Sequence, residues 1–190
     1  MMIEIRWHGR GGQGAVTAAK LLAASALREG KNFQAFPEYG PERRGAPVRA
    51  FTRISDEPIR TYASVANPDI VVILDPGLID QVPVTEGLKE DGIVVANYPG
   101  SPEELRERLG LGASKVKVYV IDAIEIAGRH LGRGVANTPM LGAVVRASGV
   151  VDLEEVLEEV RHYFGEKFSA KMAENNAKAV MAAYDEAREA

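Results

Sequence analysis

Residues Ile3 to Arg28 read IEIRWHGRGGQGAVTAAKLLAASALR, and this stretch decides the fold. Ile3 to His8 is a short β-prone run, and Ala15 to Arg28 carries apolar residues at helical spacing with no breaker. Between them, Gly9-Arg10-Gly11-Gly12-Gln13-Gly14 has the spacing G-x-G-x-x-G in a turn from strand to helix. Glycine permits positive φ and a close backbone approach, and the exposed amides of a helix N-terminus attract a phosphate. Anion binding is the functional expectation, and the plain alternative is a tight turn that lets the helix pack close to the sheet. Dinucleotide binding would also need an acid at the end of the second strand, about 20 residues further on. The nearest acid, Glu38, falls in a loop beyond that strand. The turn lacks the Lys-Ser or Lys-Thr pair of a Walker loop, which argues against an NTPase.

Outward from this unit, Phe33 to Phe36 is a second strand candidate, followed by a polar loop from Pro37 to Pro47. Val48 to Ile54 and Ile59 to Tyr62 read as a hairpin turning at Ser55 to Pro58. Ile70 to Leu74, Ile93 to Ala96 and Val116 to Ile121 are continuous apolar or β-branched runs, suited to a parallel sheet covered on both faces. Ser101-Pro102-Glu103-Glu104 marks a helix start with a cap, a first-turn proline and a glutamate at the third position, and Asp152 to Glu155 repeats that capping logic. Thr138-Pro139 reads as a cap before a helix through Ala147, and Lys167 to Arg188 as an alanine-rich helix. The expected fold is α/β: a mostly parallel, twisted, Rossmann-like sheet with helices on both faces, a small antiparallel hairpin addition and a helical C-terminus. With 190 residues and no evident linker, one domain over 1–190 is expected.

Composition narrows the chemistry. The chain has no cysteine, so it lacks the thiolates on which iron-sulfur clusters and most structural zinc sites depend. His8, His130 and His162 are scattered without ligand spacing, so no metal site and no catalytic cluster is assigned. A net charge of −4 gives no general reason to expect nucleic-acid binding. No apolar run approaches the roughly 20 residues of a membrane span, and Met1 to Arg6 lacks the features of a secretory signal, so a cytoplasmic location is expected.

The pattern WHGRGGQGAVTAA at Trp7 to Ala19, with QAFPEYGPERRGAPVRAFTRI at Gln34 to Ile54, resembles the gamma subunit of 2-oxoacid:ferredoxin oxidoreductases, most closely the pyruvate or 2-oxoisovalerate branch. The likeness continues through NPDIVVILDP at Asn67 to Pro76, GLKEDGIVVAN at Gly87 to Asn97, NTPMLGA at Asn137 to Ala143 and NAKA at Asn176 to Ala179. This resemblance implies an assembly that oxidatively decarboxylates a 2-oxoacid on thiamine diphosphate with magnesium, passes electrons through iron-sulfur clusters to ferredoxin, and transfers the acyl group to coenzyme A. It implies that thiamine diphosphate, magnesium and the clusters sit in partner chains (alpha, beta and a ferredoxin-like delta) and that the gamma-type domain is associated with coenzyme A and with subunit contacts. The R-R-G-A-P pattern leans towards pyruvate.

For coenzyme A, the candidate residues are Gly9, Arg10, Gly11, Gly12, Gln13 and Gly14, with Arg43 and Arg44 from the loop that fits the family pattern. Arg49 and Arg53 share a strand face by period two, and with Arg60 they form either a clamp for coenzyme A phosphates or for acidic groups on a partner subunit, or a solvated face paired with acids such as Glu42 and Asp56. Asp75 and Asn97 end strands at the ligand-binding edge of an open α/β sheet, or cap the turns that follow. Phe36, Tyr39 and Phe51 are expected as core or interface aromatics. Two other functions stay open: a self-sufficient dinucleotide-dependent oxidoreductase, and a scaffold whose glycine turn binds nothing.

Overall fold

A computed structural model describes residues 1–38 and 44–190. Strand β1 (Met2–Arg10) runs into helix α1 (Ala15–Arg28), then β2 (Asn32–Pro37) and β3 (Pro47–Ser55). β4 (Ile70–Ile73), β5 (Ile93–Asn97), α2 (Pro102–Arg108) and β6 (Lys117–Ile121) follow, then α3 (Ala123–Leu131), α4 (Asn137–Ser148), α5 (Leu153–Lys167), α6 (Ala170–Glu186) and a two-residue β7 (Arg188–Glu189). The strands form one sheet in the order β2-β3-β1-β4-β5-β6-β7. β1, β4, β5 and β6 are mutually parallel, while β3 pairs antiparallel with both β1 and β2, and β7 pairs antiparallel with β6. This is the expected mostly parallel α/β sheet with a helical C-terminus.

The continuous apolar runs bury on two faces because consecutive strand residues point opposite ways. Ile70, Val72 and Leu74 join the core beneath α1 and α3 to α6, whereas Val71 and Ile73 join a second core with Leu78 and Leu105 on the opposite face. β1 alternates differently. Ile5 and Trp7 enter the larger core, where the Trp7 indole donates to Thr52 Oγ1 at 3.0 Å and that hydroxyl donates to Ala19 O at 2.9 Å. Arg6 and His8 point to the other face and are nonetheless buried. Gly142 lets α4 lie against α6, since a Cβ there would fall 2.0 Å from Val180 O.

The antiparallel hairpin is not where the sequence placed it. Residues 59–62 form no strand, and β3 instead pairs with β2 across the 38–46 connection. Both edges of β3 are taken by β1 and β2, so a further strand has no edge to join. The alanine-rich helix expected over Lys167 to Arg188 is α6, which follows the end of α5 at Phe168 and is capped by Ser169 through Met172 N. Thr138 is no cap: α4 opens at Ala136 without a side-chain hydrogen bond, and Thr138 is buried in its first turn. Ser101 and Glu104 do form the reciprocal box, but Asp152 caps Glu154 N while its own amide is taken by Glu29 Oε1 from the end of α1.

Candidate functional site

The glycine turn leaves β1 at the carboxyl ends of the parallel strands and is shaped from within. The Gln13 amide donates to Arg10 O at 3.0 Å, and the Arg10 amide donates to Gln13 Oε1 at 2.7 Å. Gly12 and Gly14 hold φ of +92° and +81°, a region that side chains disfavour. At Gly14 the need is also steric, because a Cβ would stand 2.4 Å from Asn137 Nδ2 on α4. Gly9 packs beneath, 3.2 Å from Ala15 Cβ on the same measure. The Gly11 amide donates to Ala46 O at 2.9 Å and Gly11 O accepts from Gly45 N at 3.1 Å, so the turn is laced to the start of β3.

α1 therefore begins at Gly14 with no side-chain cap and no acid in its first turn. Its first turn borders a cleft of about 560 Å³ lined by Arg10, Gly12, Thr17, Glu38, Arg44 and Arg49, among others. Arg44 is exposed there, whereas Arg43 lies outside the described residues. Three arginines, one carboxylate and a helix start converge on one space, and with Arg49 paired to Glu38 the charge left over is positive, which favours an anion. On the other side of Gly12 a second cleft, of about 470 Å³, opens among Gln13, Asp75, Pro76, Asn97, Ile124 and Val135. That one holds the Asp75 and Asp122 carboxylates and, unlike the first, no arginine among the described residues.

The remaining arginines divide. Arg49 makes two hydrogen bonds to the Glu38 carboxylate, the second at 2.7 Å. Arg53 is only 2% exposed and is used internally, donating to Glu4 Oε1 at 2.8 Å, Gln34 Oε1 at 3.3 Å and Ala63 O at 2.6 Å, while its guanidinium lies 5.5 Å from the centre of the Phe36 ring. It belongs to no phosphate clamp, and it does not pair with Asp56, which holds the N-terminal amine. Arg60 is exposed and lines neither cleft. Phe51 is buried against Phe36, with ring centres 5.3 Å apart, and Tyr39 and Glu42 lie outside the described residues.

Beneath Arg49, across the β1–β3 pairing, sits His8. Arg6 Nε donates to His8 Nε2 at 3.1 Å, so that nitrogen is an acceptor. Burial, reinforced by Arg6 and Arg49, pushes the His8 pKa down to about 3. Its imidazole is neutral and structural at ordinary pH.

Asp75 and Asn97 both act as connectors. Asn97 Nδ2 donates to Leu74 O at 3.0 Å, and its Oδ1 accepts from the Ala123 amide at 3.0 Å. Asp75 Oδ1 accepts from the Gly77 amide at 2.9 Å, which is the expected capping role. Oδ2 accepts from Arg10 and Gln13, a link to the glycine turn that the sequence did not disclose. Burial raises the Asp75 pKa, but the hydrogen bonds from Gln13, Gly77 and Arg10 outweigh it and hold the carboxyl below its usual range.

Glu38 follows β2 directly, yet β3 separates β2 from β1 in the sheet. In a dinucleotide fold the acid ends the strand beside the first one. Here it emerges one strand further out and is engaged by Arg49. Among the described residues no group of three His, Cys, Asp or Glu could hold a metal ion, and no helix is long and apolar enough to cross a membrane.

Known proteins share this sequence and fold. The family profile described as pyruvate ferredoxin/flavodoxin oxidoreductase matches residues 4–186. The pyruvate/ketoisovalerate oxidoreductases common subunit gamma of Thermococcus kodakarensis is 53% identical over 184 residues, covering 97% of this chain and 96% of that relative. The crystal structure of pyruvate oxidoreductase subunit PORC from Thermotoga maritima superposes with a TM-score of 0.87 at 44% identity, covering 100% of this chain and 98% of that one. A more distant likeness, in fold alone, is to 31% of a 2-oxoglutarate:ferredoxin oxidoreductase chain from Magnetococcus marinus, at 22% identity over 97% of this chain with a TM-score of 0.75; that protein was solved with 2-oxoglutarate, coenzyme A and succinyl-CoA bound. With the whole length matched in sequence and in backbone, this chain belongs to the pyruvate ferredoxin/flavodoxin oxidoreductase family, as a subunit of the gamma type.

Proposed function

We infer that this chain, as one domain over 1–190, binds the phosphates of coenzyme A in the arginine-lined cleft beside its glycine turn and does no redox chemistry itself. The observation that carries this reading is the uncapped start of α1, with no acid in its first turn, beside Arg10 and Arg44, in a cleft where Arg49 already balances Glu38. Coenzyme A presents a diphosphate and a ribose phosphate, and arginine forks with helix-start amides are the groups that recognise such charges. The residues put forward are Gly9, Arg10, Gly11, Gly12, Gln13, Gly14, Arg43 and Arg44. Gly9 and Gly11 serve by shaping the turn, Gly9 by packing against the Ala15, Gln13 and Leu74 side chains and Gly11 by its backbone hydrogen bonds to Gly45 and Ala46.

In this reading the chain assembles in the cytoplasm with alpha, beta and ferredoxin-like delta subunits. Those partners supply thiamine diphosphate, magnesium and iron-sulfur clusters, chemistry for which a chain without cysteine has no thiolate ligands. The complex converts a 2-oxoacid such as pyruvate, coenzyme A and oxidised ferredoxin to acyl-CoA, CO2 and reduced ferredoxin. The isolated chain is inactive. The position of Glu38, beyond the neighbour of β1 and paired with Arg49, weighs against a self-sufficient dinucleotide enzyme.

The test is Gly12→Asp, with Gly12→Asn as its isosteric partner, in the reconstituted complex. A Cβ at Gly12 meets nothing within 4 Å, so the two variants share the same backbone cost at φ +92° and differ by one charge. Losing a charge-assisted hydrogen bond costs about 1.5 to 3 kcal/mol, so the aspartate should raise the KM for coenzyme A about tenfold to a hundredfold. The asparagine should raise it much less, and the KM for pyruvate should stay nearly unchanged in both. Equal coenzyme A constants for wild type and Gly12→Asp would leave the scaffold function. Tight NADH binding by the isolated chain, abolished by Gly12→Asp, would favour the dinucleotide enzyme.

A further inference from the structure

The glycine pattern by itself does not fix the turn. Gly12 and Gly14 supply freedom, and something must select one conformation and aim Arg10. That something lies 62 residues from Gln13 at the end of the neighbouring parallel strand. Asp75 Oδ2 accepts from Gln13 Nε2 at 2.8 Å and from Arg10 Nε at 2.9 Å. Gln13 Oε1 takes the Arg10 amide at 2.7 Å, which closes a ring of hydrogen bonds through Arg10, Gln13 and Asp75. With Nε held there, the Arg10 guanidinium extends its Nη1 to Gly45 O at 3.2 Å, and Arg10 borders the arginine-lined cleft. Asp75 itself lines the opposite cleft. It therefore acts on the anion cleft from behind the turn.

We propose that Asp75 is a positioning residue for the anion cleft: it sets the conformation of the glycine turn and the aim of Arg10 without touching the ligand. This rests on the coenzyme A reading above. The proposal has a sign that separates it from simple electrostatics. A carboxylate near an anion repels it, so on charge alone its removal would tighten binding. If Asp75 works by geometry, removal weakens binding despite the gain in net positive charge. Asparagine cannot serve both donors, because turning its oxygen to one of Arg10 Nε and Gln13 Nε2 leaves an NH2 group near the other.

The experiment uses the assembled complex carrying Asp75→Asn or Asp75→Glu, with coenzyme A affinity read by calorimetry and by KM at saturating pyruvate. Asp75→Asn should weaken coenzyme A about tenfold, the size of one lost hydrogen bond to a charged group. Its kcat at saturating coenzyme A should stay within about twofold. Asp75→Glu keeps the charge but displaces the oxygens by a methylene, and should weaken binding roughly threefold, about 0.7 kcal/mol. Wild-type or tighter binding in both variants overturns the proposal, as does a loss of kcat in parallel with KM, which marks a merely structural residue. Gly12→Asp in the same complex separates the two levels. If it leaves coenzyme A binding intact, the site reading falls and this proposal with it; if it weakens binding while the Asp75 variants do not, only the positioning role is lost.

Discussion

Strands β4, β5 and β6 carry hydrocarbon to both faces, with Asn97 at a strand end and Tyr119 beside the sheet edge as the buried polar exceptions. The antiparallel side, β1 with β3 and β2, buries Arg6, His8, Thr52 and Arg53 within the same sheet. On the parallel side any apolar neighbour of the right volume satisfies a valine. On the antiparallel side each polar group needs a specified partner, and the partners come from elsewhere in the chain: Val84 O and Glu86 O for Arg6, and Ala63 O for Arg53. Among the described residues no buried side-chain nitrogen or oxygen is left without a partner. Hydrocarbon can be exchanged for hydrocarbon of similar volume, while the polar layer ties the loops at 63 and 84–86 to the sheet in one register.

The sharpest break of this contrast is Arg53→Ala. It leaves the partly exposed Glu4 without its cation and the Ala63 carbonyl without its donor, and losing hydrogen bonds to a charged group at a part-buried site costs about 1.5 to 3 kcal/mol. Urea denaturation with an unchanged m-value should read that loss. A cost below about 1 kcal/mol, the range of exposed pairs, would show the polar layer to be as replaceable as surface charge.

His8 should make the antiparallel side sensitive to acid. Its folded pKa of about 3 lies below the roughly 6.5 of an unfolded histidine, so unfolding takes up a proton between those values. The stabilisation is fully present above about pH 6.5 and is lost as pH falls towards 3, at up to about 1.4 kcal/mol per pH unit. In His8→Gln that component should vanish, which denaturation curves at pH 7 and pH 5 would reveal as a smaller loss than in the wild type. An identical acid response in both proteins would refute the assignment.

The smallest effect is expected on the parallel side. Ile73→Val removes one methylene from the core shared with Leu78 and Leu105 and should cost about 0.5 to 1.5 kcal/mol, equal at both pH values. A pH-dependent cost there would erase the distinction between the two sides.

The two sides were also unequally legible. The runs that became β4, β5 and β6, the strand-turn-helix of β1 and α1, and the box at Ser101 follow from rules that act over a few residues: alternation, helical spacing and capping geometry. The antiparallel side is less legible because residues 59–62 are as β-prone as their neighbours. What denies them a strand is that β3 has no open edge, a fact of pairing and not of propensity. In the candidate site the glycine turn and Arg10 were visible, because a turn that needs positive φ must show its glycines. Asp75 as partner of Arg10 and Gln13 was not, since adjacency between β1 and β4 is settled by the whole sheet.

The sequence by itself determined the class of fold, the strand-turn-helix that presents free amides, and the lack of thiolate ligands in this chain, because each depends on residue type and local spacing. Only the tertiary structure decided which arginines face the cleft. Arg49 and Arg53 lie on one strand face with the same side chain and the same pattern around them. One borders the cleft and is paired with Glu38; the other is sealed under Ala63, because the loop beyond β3 folds back over its end of the strand and delivers a carbonyl that no local rule could place.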